Sequence, residues 1–162
     1  MKKYTFISSV LLFAISLALA SCTGAKSTGQ TSQEKEELVE VTPEEKKFFE
    51  MEEDEAVKIS DDETEYEIII IDPGFYTWLQ SIARPEGYYS KTFLETRNQI
   101  LVTNWNIRAT LPLQFDANLY LFPIDYSPNI DYGYEVNYKL YNYFIFFQRK
   151  YNQRLGPWLP RI

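Results

Sequence analysis

Histidine is absent from this chain, and cysteine occurs once, at Cys22. Those two gaps exclude Ser-His-Asp and Cys-His catalysis and any metal site built on imidazole or thiolate. A single cysteine forms no disulfide within the chain, so stability has to come from a core. Catalysis would fall to carboxylates, lysine, arginine or tyrosine, and no spacing among Asp72, Glu95, Asp116, Asp125, Asp131 and Glu135 selects the facing carboxyl pair that a glycan hydrolase needs. The expectation is a protein that is not an enzyme, with no catalytic residue, cofactor or metal. A basic excess is missing too: the formal net charge is −7, which excludes nucleic acid as a partner.

The first stretch reads as an address. Lys2 and Lys3 form a positive start, Phe6 to Ala20 is apolar, and Leu19-Ala20-Ser21-Cys22 resembles a lipobox. Residues 1–21 are therefore expected to be a lipoprotein signal peptide, with Cys22 carrying palmitate-type acyl chains that hold the protein to a membrane. The run is short and broken by Ser8, Ser9 and Ser16, which argues against a membrane span. Thr23, where an aspartate is not found, points to the outer membrane of the cell envelope by analogy with other bacterial lipoproteins.

Charge divides sharply along the rest. Thr23 to Glu65 holds fifteen acids and five lysines, whereas Tyr66 to Ile162 holds eight acids and nine bases. Residues 22–65 read as an acidic, mostly disordered tether, with a flexible span of roughly 35 Å. Within it, Thr42-Pro43-Glu44-Glu45 has the N-cap, N1 proline and N3 glutamate of a capping box, so a helix is expected over 43–57. Phe48, Phe49 and Met51 give it an apolar patch for docking on the domain that follows.

Residues 66–162 read as one aromatic-rich globular domain, with twelve Tyr, seven Phe and three Trp. Tyr66 to Ile71 is β-branched and ends at Asp72-Pro73-Gly74, giving a buried strand and a turn; Leu119 to Tyr126 is its expected partner strand. Three helices are expected: a short one through Phe75, Trp78 and Ile82, a longer one capped by Ser90 and ending near Pro112, and a last one from about Tyr132 to Arg154. The predicted class is α+β, with the helices packed on a minimal sheet. Arg97 and Arg108 fall near an apolar helix face and call for acidic or carbonyl partners, such as Glu135 or Asp72.

Asn104, Trp105, Arg108, Asn137, Tyr138 and Tyr141 form the candidate binding surface, since flat rings beside amides suit sugars, although core packing accounts for the same residues. The segments Ile71 to Phe75, Trp105 to Arg108 and Asn129 to Tyr141 resemble a family of small bacterial lipoproteins carrying domain of unknown function 6146. The resemblance covers about Tyr66 to Leu155. It implies a lipidated envelope protein with a variable tether and one compact domain, and brings no activity, cofactor or catalytic residue. The expected function is a lipid-anchored envelope module that binds a protein partner. A glycan- or peptidoglycan-binding module is the alternative, and a carboxylate-based hydrolase stands behind both.

Overall fold

A computed structural model of the chain describes residues 39–52, 57–60, 67–70 and 72–162, the two short middle pieces by their backbone. The expected signal peptide, Cys22 and the first part of the tether lie outside the described residues. The elements in chain order are α1 (Pro43–Phe49), β1 (Val57–Ser60), β2 (Glu67–Ile70), α2 (Phe75–Ser81), α3 (Lys91–Ala109) and α4 (Gly133–Lys150).

The α+β expectation is overturned. Residues 39–52 and 72–162, which carry all the described side-chain contacts, contain four helices and no strand. Leu119 to Tyr126 forms no strand, because its backbone is committed elsewhere. Trp105 Nε1 donates to Phe122 O at 2.9 Å, Asn106 Nδ2 donates to Ile124 O at 2.8 Å, and Ile124 N–H donates to Asn106 Oδ1 at 2.7 Å. These side-chain bonds fasten the segment along α3, and Pro123 offers no N–H to a ladder. The residues read as a buried strand pair instead with the segment before them, β2 lying antiparallel to β1 in the register Val57↔Ile70 through Ser60↔Glu67.

The helix expected over 43–57 is observed as Pro43–Phe49, with the capping box in place: Glu45 N–H donates to Thr42 Oγ1, and Thr42 N–H donates to Glu45 Oε2. Ser90 caps α3 by accepting the Phe93 N–H. The last helix ends four residues short of Arg154, where Asn152 takes a left-handed φ of 47° and Gln153 N–H donates back to Gln148 O, closing the helix with a 6→1 bond.

α4 is the centre of the fold. It packs on α3 and α2, and α1 packs on α2. Val136, Leu140, Phe144, Phe146 and Phe147 of α4 are buried against Phe75 and Trp78 of α2 and Leu94, Leu101 and Trp105 of α3. A helix buried on several sides must satisfy its polar side chains internally. Asn142 Nδ2 donates to Tyr138 O, while Gln148 Nε2 donates to Phe144 O and its Oε1 accepts the Leu155 N–H.

α1 is locked to this core by its one buried side chain. Glu45 faces Arg149 of α4, with Arg149 Nε on Oε1 and Nη2 on Oε2, each at 2.6 Å. Trp78 Nε1 also reaches Oε1, at 3.3 Å. Arg149 also donates from Nη1 to Pro160 O and from Nη2 to Glu40 O, so one guanidinium ties α1, α4 and the segment after α4 together.

Candidate functional site

Between α3, α4 and residues 155–162 lies an open groove of about 460 Å³. Its walls include Tyr89, Phe93, Arg97, Tyr141, Trp158 and Arg161, and among the described residues no aspartate or glutamate lines it. Helical spacing puts Phe93 and Arg97 on one face of α3, and Tyr141 comes across from α4. The rings fix one another: Tyr89 stacks on Phe93 with centroids 4.7 Å apart, and Tyr141 meets both edge-on. Burial pushes the Tyr89 and Tyr141 hydroxyls up, so both are neutral donors at ordinary pH.

Arg97 is held between two rings. Its guanidinium carbon stands 3.3 Å from the Trp158 ring centroid and 5.0 Å from that of Phe93. Its Nη1 is buried, and no acceptor among the described residues reaches it. Trp158 belongs to a stretch without regular structure, held by bonds from Arg154 to Gly156 O and Pro157 O.

The six residues expected to form a binding surface do not share one. Trp105, Asn137, Tyr138 and Tyr141 are buried, and Asn104 spends its amide on Ile100 O of its own helix. Asn137 sits in a buried polar cluster, where Asn98 Nδ2 and the Tyr126 hydroxyl both donate to its Oδ1. Burial raises the Tyr126 hydroxyl to about 12. Arg108 finds the carbonyl partner its position called for in Arg154 O and also bonds the Tyr120 hydroxyl. Of the groove's residues, only Tyr141 belonged to the expected set. Arg97 was noticed as a helix-face arginine, but its ring partner Trp158 lies 61 positions away in sequence and gave no local signal.

Three of the carboxylates, Asp72, Glu95 and Asp131, have structural partners. Asp72 Oδ1 accepts from Lys150 Nζ at 2.8 Å and from the Tyr151 hydroxyl at 3.1 Å, which pins the turn before α2 to the end of α4. Glu95 and Asp131 line a second cavity of about 300 Å³, where Lys91 Nζ lies 3.8 Å from Glu95 and donates to Asp131 at 2.6 Å. The Lys91 bond and the Gly133 N–H hold the Asp131 carboxyl below its usual range, so it is charged rather than proton-donating. Asp131 precedes the α4 N-cap residue, Tyr132, and does not occupy that position itself. Among the described residues no three Asp, Glu, His or Cys side chains gather as metal ligands, and no helix is long and apolar enough to cross a membrane.

A second surface is apolar. The segment joining α3 to α4 leaves Leu113, Leu121 and Phe122 exposed, with Ile107 of α3 exposed as well. Leu113 is 101% exposed and Phe122 76%, although the Phe122 backbone is fastened to Trp105.

These features describe a small helical domain with one cationic, ring-walled groove and one exposed apolar loop. Residues 7–158 match DUF6146, a family of unknown function, and the chain belongs to that family. No curated protein and no solved structure matches it.

Proposed function

We propose that this chain is a lipid-anchored protein of the cell envelope, held at Cys22 to the outer membrane, whose helical domain is a non-enzymatic module that binds a protein partner. The carrying observation is the exposed loop: Leu113, Leu121 and Phe122 face solvent on a segment whose backbone is fixed to α3. Large apolar side chains held outward on a braced segment suit protein contact better than sugar stacking. Sugar stacking was expected to use Trp105, Tyr138 and Tyr141, and all three are in the core. The anchoring half of the reading rests on the Leu19-Ala20-Ser21-Cys22 sequence alone.

Both halves are open to one experiment in cells. A photoreactive residue at Phe122 should crosslink a discrete envelope protein, and a palmitate analogue should label the protein. Cys22→Ser should remove the label and reduce the crosslink, while Leu121→Asp should remove the crosslink and leave the label. Crosslinking to polysaccharide alone would sink the protein-partner reading, and labelling that survives Cys22→Ser would sink the anchor.

A further inference from the structure

We infer that the groove between α3, α4 and residues 155–162 is a receptor for a peptide carboxylate that follows an apolar residue, taken up by Arg97 beneath Trp158. The site is separate from the exposed loop and does not depend on it.

Charge is the first argument. The domain from Tyr66 onward is close to neutral, with eight acids and nine bases, yet among the described residues this groove carries Arg97 and Arg161 and no Asp or Glu, so its local field favours an anion. Hydrogen bonding is the second. A guanidinium presents five N–H donors in a rigid fork, and buried donors are nearly always paired; Arg97 Nη1 is buried with no acceptor among the described residues. Arg149, which is buried as a whole, shows what this fold does with such a group when an acid is at hand, since it meets Glu45 in a two-point contact. Arg97 has the same fork and no acid among the groove's residues.

Shape selects among anions. The Arg97 guanidinium lies over the Trp158 ring and within reach of the Phe93 ring, so its edge is the side left for an acceptor, which should also be flat. A carboxylate is planar and matches the fork with two parallel bonds. Beside it, Phe93, Leu101, Tyr141 and Ile145 offer apolar wall for the side chain next to the carboxylate. About 460 Å³ lies within the range of sites that hold small ligands.

Trp158 lies over the face of the guanidinium and leaves edge-on approach to the groove side. Its ring covers the guanidinium, is 38% exposed, and sits on a stretch without helix or strand. Trp158 therefore fixes the plane of the Arg97 fork and offers its exposed ring edge to the arriving peptide.

The test uses the full chain carrying Cys22→Ser in zwitterionic micelles, followed by the NMR signals of Arg97 Nε–H and the Trp158 indole N–H. The probe is a short acetylated peptide, Ala-Ala-Phe, with either a free or an amidated terminus. The free acid should shift both signals in a saturable way and the amide should not. Arg97→Met should weaken binding of the acid by about tenfold or more, with Arg97→Lys between the two. Should Arg97→Met fail to fold, the comparison of acid with amide on the unsubstituted groove still decides. Equal shifts from acid and amide would overturn the proposal, as would no shift from either. It would also fail if phosphatidylglycerol added to the micelles moved these signals and the peptide acid did not, since the anion would then be a lipid phosphate.

Discussion

Glu45 accepts hydrogen bonds from Arg149 Nε and Nη2, Trp78 Nε1 and the Thr42 N–H, and none of its side chain reaches solvent. Burial is the largest single influence on its carboxyl and pushes it up, yet the bonds from Arg149, Thr42 and Trp78 and the Arg149 charge together hold it below its ordinary 4.5. The folded state therefore binds this proton less readily than the unfolded state. Its contribution to stability is complete above about pH 4.5 and is lost as pH falls through the lower folded value. Removing one partner of a buried pair leaves the other charge buried and unmatched, so Glu45→Gln should cost about 3 kcal/mol. Thermal unfolding at pH 7 measures that loss, and the same variant should show a shallower fall in melting temperature between pH 5 and about 3 than the parent. The sequence marked Glu45 as the N3 residue of a capping box, which it is; its second role was hidden because Arg149 lies 104 positions away and sits in the same run as the apolar stripe of α4.

The helices were legible because their signals are local. Thr42, Ser90 and the apolar spacing of Phe75, Trp78, Leu94, Leu101, Val136, Leu140 and Phe144 all lie within a few turns of the element they define. The sheet was misread because Leu119 to Tyr126 has strand composition but finds its partners on α3, a choice made by Trp105 and Asn106 side chains. β1 was missed inside an acidic stretch, although Val57 and Ile59 alternate with Lys58 and Ser60. The candidate surface failed on the same ambiguity that made it attractive, since rings beside asparagines describe a core with internal amide bonds as well as a sugar site. The junction between α1 and α2 carries its own prediction. Gly74 has φ of 85°, and a Cβ there would lie 1.9 Å from Phe48 O. Gly74→Ala must therefore strain the turn and displace α1, and should cost more than about 2 kcal/mol. Chemical denaturation checks the size of that loss. A near-neutral result would mean that α1 does not press on this turn.

Across the whole molecule, the acidic stretch supplies a piece of the core. The compact unit extends from Lys35 to Ile162, and within it α1 buries Glu45 and packs Phe48 and Phe49 against the aromatic centre, with the Phe49 ring 5.4 Å from Phe146. Arg149 makes this a three-way joint by also holding Pro160 O, on the same stretch that carries Trp158 over the groove. The most direct measurement is to compare near-ultraviolet circular dichroism and thermal unfolding of chains that begin at Lys35 and at Tyr66. The longer chain should show fixed aromatic signals and a cooperative transition. The shorter chain, with Arg149 left without its carboxylate, should lose those signals or at least about 3 kcal/mol of stability. Equal melting temperatures for the two would contradict the account, placing α1 outside the cooperative unit and reducing the Glu45–Arg149 pair to a contact without consequence for the fold.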